Sequence, residues 1–294
     1  MLAELSPGLP RGPGWAFEIK WDGMRACVSA LPGGQLKIFS RRGIDYTDCF
    51  PELHPLRAQL PAGTILDGEI VVLDTKGRSD FDRLQERWHR PLPAIAAKLA
   101  RINPVTFVAF DLLWCAGRTL HHEAYTYRRD QLRDLQFRGQ RWLSPDDHRL
   151  DGAALFAACQ ANGLEGIVAK RLSSPYRPGQ RSKDWLKIKN YRTDRFIVGG
   201  WIPTSTGSVE ALLVGQRDVK GDLCFSGTVE FGLNGKRREL LPALGLIASP
   251  TCPFARFDGR VAHWVQPRIE ASVRFIGLNR GVLREATLSS VAVI

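Results

Sequence analysis

Short apolar segments of strand length recur along the chain, and no regular strand–helix–strand alternation orders them. Residues 15–20, 25–31, 35–40, 64–73, 105–113, 164–171 and 185–189 read as strands, with Gly33-Gly34 as a hairpin turn between the second and third. Helical stretches fall between some of them: 79–88 behind a capping Ser79, 124–136, and 151–162, which opens on Asp151 and stops before Gly163. A doubly wound parallel sheet needs a helix after nearly every strand. This order predicts an α+β domain built on antiparallel sheets instead. The opening residues, with Pro7, Gly8, Pro10, Gly12, Pro13 and Gly14, read as an irregular lead-in.

Near residues 190–194 the texture changes. Short alternating segments at 195–202, 211–217, 223–229, 263–267 and 271–276 are separated by turn residues, the pattern of a small all-β barrel or sandwich. A chain of 294 residues is also long for a single core. Two domains are therefore expected, at residues 1–191 and 192–294.

The net charge of +11 favours capture of polyanions, nucleic acid first among them, although evenly scattered surface charge would give the same figure. Cys27, Cys49, Cys115, Cys159, Cys224 and Cys252 contain no C-x-x-C pair, which argues against a zinc knuckle or redox dithiol and fits a reducing compartment. No run of 18 apolar residues exists to span a membrane, and the first residues lack the layout of a secretion signal, so the expected location is cytoplasmic. Gly232, Gly235 and Lys236 have the wrong spacing for a P-loop, and His121-His122-Glu123 lacks the second histidine of a zinc helix.

Chemistry concentrates in six segments. Glu18-Ile19-Lys20-Trp21-Asp22-Gly23 puts a lysine at a strand end before an Asp-Gly turn, where an amine can act as a nucleophile if desolvation or neighbouring cations leave it uncharged. The same residues also suit a surface lysine beside a hairpin. Ser40-Arg41-Arg42-Gly43 closes a strand with two cations suited to phosphate. Asp67-Gly68-Glu69 lies inside an apolar strand, where carboxylates are costly unless paired or bound to metal. Phe110-Asp111 sets a ring beside an acid; 164–171 has Glu165 at its start and Lys170 near its end. In 185–189, Lys187 and Lys189 share one strand face while Leu186 and Ile188 face the core.

In this order and spacing the segments resemble the six-motif nucleotidyltransferase superfamily of ATP-dependent DNA ligases and messenger-RNA capping enzymes, most of all the ligase module of bacterial end-joining ligases. The likeness extends through 81–87, 174–184 and Phe196-Ile197-Val198-Gly199-Gly200-Trp201, nearly the whole chain. The resemblance implies an antiparallel-sheet adenylation domain followed by an OB-fold barrel. It implies that Lys20 is adenylated by ATP and that AMP then passes to a 5′-phosphate in duplex DNA. Glu18 would read the adenine amino group and Phe110 stack on the base. Arg25 and Glu69 would meet ribose or metal, Arg41 phosphate, and Lys187 and Lys189 the triphosphate. Glu165 would coordinate Mg2+ or Mn2+, with Glu69 a second metal contact. The implied partners are nicked or broken duplex DNA and other end-joining or repair proteins, with the chain a monomer on the nucleoid and off the membrane.

One motif departs. A basic-acidic cluster should follow residues 281–287, and residues 288–294 hold none that is recognisable. The resemblance then implies slow self-adenylation, with sealing of pre-adenylated DNA less affected. An RNA ligase, a capping guanylyltransferase and a catalytically silent nucleic-acid-binding relative are the rival readings.

Overall fold

A computed structural model describes residues 1–88, 92–235, 237–259 and 262–294. The chain divides into two compact units, Met1–Asn190 and Tyr191–Ile294.

The first unit is built on two sheets. Its strands in chain order are β1 (Leu2–Leu5), β2 (Trp15–Ile19), β3 (Met24–Ala30), β4 (Leu36–Ser40), β5 (Thr64–Val72), β6 (Val105–Cys115), β7 (Arg118–Thr119), β8 (Trp142–Leu143), β9 (Gly166–Arg171) and β10 (Arg181–Lys189). Its helices are α1 (Phe81–Gln85), α2 (Pro93–Ile102), α3 (Tyr125–Asp134) and α4 (Gly152–Ala161). One sheet runs β1-β10-β9-β2, the other β4-β3-β5-β6-β7 with β8 alongside β6. All pairs are antiparallel except β1–β10 and β6–β8.

Period-two alternation explains which side of each strand is buried. Val28, Ile38, Leu66, Ile70 and Phe107 point into one core, closed by Leu53 and Leu56 from a 3-10 segment, Pro51–Gln59, and by Phe50 just before it. Trp15, Phe17, Ile167, Ala169 and Ile188 form a second core against Cys159 of α4. The reactive faces of β2, β9 and β10 are the opposite ones.

Several expectations shift. Residues 2–5 are a strand rather than part of a loop: Leu-Ala-Glu-Leu has little β preference of its own, and the exposed edge of β10 supplies its partner. The cap of α1 is Asp80, whose side chain accepts from the Arg83 amide at 3.0 Å, while Ser79 Oγ accepts from the Asp22 amide. Helix α2, begun by Pro93 at its first turn, is an addition to the sequence reading.

The second unit contains β11 (Arg192–Pro203), β12 (Val209–Arg217), β13 (Leu223–Val229), α5 (Arg237–Leu246), β14 (Ala248–Ser249), β15 (His263–Val265), β16 (Ile269–Phe275), β17 (Gly277–Asn279), β18 (Val282–Arg284) and β19 (Thr287–Val293). Strands pair in the order β13-β12-β11-β16-β19, and a bridge from Thr287 to Phe231, just past β13, returns to the start. Five strands thus close into a small barrel. Leu240 and Leu244 of α5 are buried in its core with Val198, Val214 and Val273. The sequence reading lacked β19 and α5; Pro242 inside α5 removes an amide donor and masks the helical pattern.

Candidate active site

Lys20 follows β2 directly, and residues 20–23 carry the chain from one sheet to the other, because β2 pairs with β9 whereas β3 pairs with β4 and β5. The hairpin of the alternative reading is absent. The Lys20 amide donates to the Gly166 carbonyl at 2.9 Å, which pins the crossing. Gly23 is required for close approach: a Cβ there would lie 2.3 Å from the Ile70 carbonyl oxygen. The side chain of Lys20 is 23% exposed, and its Nζ lies 2.6 Å from Glu165 Oε2. A carboxylate, rather than the cations expected from the sequence, is therefore the amine's immediate neighbour.

Glu165 stands just before β9, and Gly166 after it has φ +137°; a Cβ at 166 would lie 2.1 Å from the Ile188 carbonyl oxygen. Burial, assisted by the charge of Asp22, raises the Glu165 carboxyl above its ordinary range against the pull of Lys20. Glu69 sits opposite Arg25 in the β3–β5 register. Burial pushes its carboxyl up to about 8, with Glu165 and Asp67 adding to the rise and Lys20 and Arg25 opposing it.

The other two strand carboxylates are consumed structurally. Asp67 takes two hydrogen bonds from Arg25, at 3.0 and 2.6 Å, and one from the Tyr176 hydroxyl. Asp111 and Arg128 form a fully buried bidentate pair at 2.7 and 2.9 Å. Two acids in apolar strands proved costly enough to need partners, as the sequence suggested, but these partners are arginines.

Glu18, on β2, is 8% exposed. One of its oxygens accepts from Tyr125 and the other from Lys170 Nζ at 2.8 Å. Lys170 sits diagonally across from Glu18 in the β2–β9 register. Its ammonium nitrogen is 4.5 Å from the Phe110 ring centre and 4.3 Å from that of Trp185, and it donates to the Phe110 carbonyl. The Phe110 and Trp185 rings meet edge to face at 6.0 Å, and the Arg25 guanidinium lies 5.5 Å from the Phe110 ring centre. Lys170 stood out in sequence only as the lysine near the end of residues 164–171, with no role, and Tyr125 and Trp185 were not singled out as site residues. Alternation along β9 was the available signal, since Val168 and Lys170 share the face opposite buried Ile167 and Ala169.

One cleft gathers most of these groups. Glu18, Lys20, Arg25, Arg41, Glu69, Phe110, Lys170, Trp185 and Lys187 line it, and it encloses about 860 Å³ including its open mouth. Arg41, immediately after β4, is exposed on this wall. Glu165 and Lys189 lie outside the lining: Glu165 reaches it through its contact with Lys20, and Lys189, on the same face of β10 as Lys187, acts by its charge on Glu165. Among the described residues no three side chains of metal-binding type cluster together.

The chain can now be set against known proteins. A family model described as the ATP-dependent DNA ligase domain matches residues 1–189. The chain belongs to this family. The multifunctional end-joining protein LigD of Mycolicibacterium smegmatis is 35% identical over 89% of this chain, and that of Pseudomonas aeruginosa 34% over 97%. The chain spans about a third of the length of either relative (34%). The solved structure of a mycobacterial DNA ligase D complexed with ATP and MES is 32% identical, with a TM-score of 0.55 over 99% of this chain and 93% of that one. The ligase-domain fold of the family is therefore present: an α+β nucleotidyltransferase domain on antiparallel sheets, followed by the OB-fold barrel. No helix among the described residues is long and apolar enough to cross a membrane.

Proposed function

We propose that the chain is an ATP-dependent DNA ligase that adenylates its own Lys20. The observation that carries this reading is the single cleft in which an amine, two carboxyls, phosphate-suited cations and an aromatic ring converge. Lys20 Nζ attacks the α-phosphorus of ATP, a P–N bond forms, the P–O bond to pyrophosphate breaks, and the amine loses a proton. A 5′-phosphate at a break then takes the AMP from Lys20. The adjacent 3′-hydroxyl attacks that phosphate, joins the strand and releases AMP.

Phe110 offers its ring to the base. Glu18, whose oxygens hold donors on the protein side, presents an acceptor to the exocyclic amino group of adenine; guanine has a carbonyl oxygen at that position and would be repelled. Arg25, held by Asp67 and Tyr176, faces the ribose. Arg41 and Lys187 meet the phosphates, and Lys189 acts beside Glu165. These cations stabilise charge developing on the transferring phosphoryl group.

Glu69 and Glu165 suit a divalent cation, since burial raises both carboxyls against the pull of Lys20, Arg25 and Lys189. Two carboxylates with phosphate oxygens completing the shell is the usual manner of holding Mg2+ or Mn2+. When bound, such an ion neutralises phosphate charge and polarises the phosphorus toward attack.

Nicked or broken duplex DNA is the proposed substrate, the names of the relatives point to end joining as the setting, and other repair proteins are proposed partners. The proposal includes a monomer acting on bacterial DNA in the cytoplasm. The test is a nicked duplex, offered with ATP or GTP and separately with a preformed 5′-adenylate. Sealing with ATP supports the reading. A GTP-only adduct, or RNA nicks sealed in preference to DNA, would replace it with a capping enzyme or RNA ligase. Sealing only the pre-adenylated nick would place the defect in the first step.

A further inference from the structure

The buried hydroxyl of Tyr125 contributes to the cleft without lining it. Tyr125 is fully buried at the first position of α3, and the next residue ties that helix end to the strand region, its amide donating to the Leu172 carbonyl at 3.1 Å. The hydroxyl donates to Glu18 Oε1, while Lys170 holds the second oxygen. Burial and the charge of Glu18 keep the phenol protonated well beyond its ordinary range, so this donor persists at any working pH. Arg129, four residues on and 4% exposed, adds a buried positive charge acting on Glu18 and Tyr125.

We propose that Tyr125 is a positioning residue for base selection: it fixes the rotation of the Glu18 carboxylate, so that the group meets the nucleobase edge as an acceptor in one orientation. This rests on the reading of Glu18 as the base-facing acid. The physical argument is one of stakes. A carboxylate free to rotate can lend either oxygen to Lys170 and turn away from a base that lacks a donor, so a mismatched base costs little. Clamped on both oxygens, it cannot turn, and a carbonyl on the base then faces an acceptor with no escape. Discrimination of donor from acceptor needs that rigidity. Helix α3 thereby joins the site, although none of its residues lines the cleft.

The experiment is self-adenylation of the full chain with ATP and GTP, reported as the ratio of kcat/KM for the two. The ratio is independent of the fraction of active protein, so a partly misfolded variant is still informative. Tyr125→Phe should lower the ATP:GTP ratio by about tenfold or more, mainly through KM, the size expected for one hydrogen bond to a charged group. A ratio unchanged in Tyr125→Phe overturns the proposal. A fluorinated tyrosine incorporated at 125 keeps the shape and strengthens the donor; its ratio should equal or exceed that of the unmodified chain, and a fall also overturns the proposal. Glu18→Gln separates the two layers. Should it retain full preference for ATP, the reading of Glu18 itself fails; should it lose preference while Tyr125→Phe keeps it, only the positioning role fails.

Discussion

Lys20 Nζ is 2.6 Å from Glu165 Oε2, so the proposed nucleophile and the proposed metal-binding acid hold each other. Attack on phosphorus needs a lone pair on that nitrogen aimed away from the carboxylate it now holds. A divalent cation held by Glu165 would compete with Lys20 for that carboxylate and so would free the nitrogen to turn toward phosphorus. Glu165→Gln, which preserves a hydrogen-bond acceptor but weakens the hold on a cation, should slow self-adenylation on the order of a hundredfold. It should also move the metal titration to higher concentration. A wild-type metal titration in this variant would contradict the assignment.

Glu69 gives a pH prediction. Its carboxyl is raised to about 8 in the folded chain, against an ordinary value near 4.5 when unfolded. Folding therefore takes up a proton between those values, and the stabilising contribution is greatest below the lower one and lost as pH rises through about 8. Melting temperatures of wild type and Glu69→Gln, compared at pH 5, 7 and 9, should show the variant gaining on wild type as pH rises. Added Mg2+ should offset the wild-type loss at pH 9 and leave the variant little changed.

Asp111 is paired with Arg128 at zero exposure, so Asp111→Asn strands a buried guanidinium. Denaturant unfolding should show a loss of about 3–5 kcal/mol. Removing both charges together should cost less than the sum of the single changes, since the pair is coupled. Metal affinity of whatever remains folded should match wild type, because both oxygens of this acid are already held by Arg128.

Gly166→Ala tests the placement of Glu165. With φ +137° and the Ile188 oxygen 2.1 Å from the new Cβ, β9 must move or strain, at a cost of at least about 1–3 kcal/mol. Because Glu165 is the preceding residue, adduct formation should fall much further than stability does. Equal, small losses in both would argue that Glu165 needs no exact placement.

The strands and the cleft were legible in unequal measure. Apolar runs announced β5 and β9, and alternation β10, and with them Glu69, Glu165 and Lys187, because a polar residue within or beside an apolar strand stands out locally. The crossing at residues 20–23 was not legible as such: Asp-Gly after a strand also describes a hairpin, and only the pairing of β2 with β9 separates the two. Arginine partners for Asp67 and Asp111 were hidden for a related reason. Their sequence separations, 42 and 17 residues, leave no local pattern. Tyr125 looked like one apolar residue of a helix, since a hydroxyl's partner 107 positions away leaves no trace in the helix's own periodicity.

The most direct measurement is peptide mass spectrometry of the chain after exposure to ATP and a divalent cation. One adenylyl group should be found on Lys20, absent in Lys20→Ala and discharged when nicked DNA is supplied. An adduct on a different lysine, or none at any metal concentration, would contradict the account at its centre.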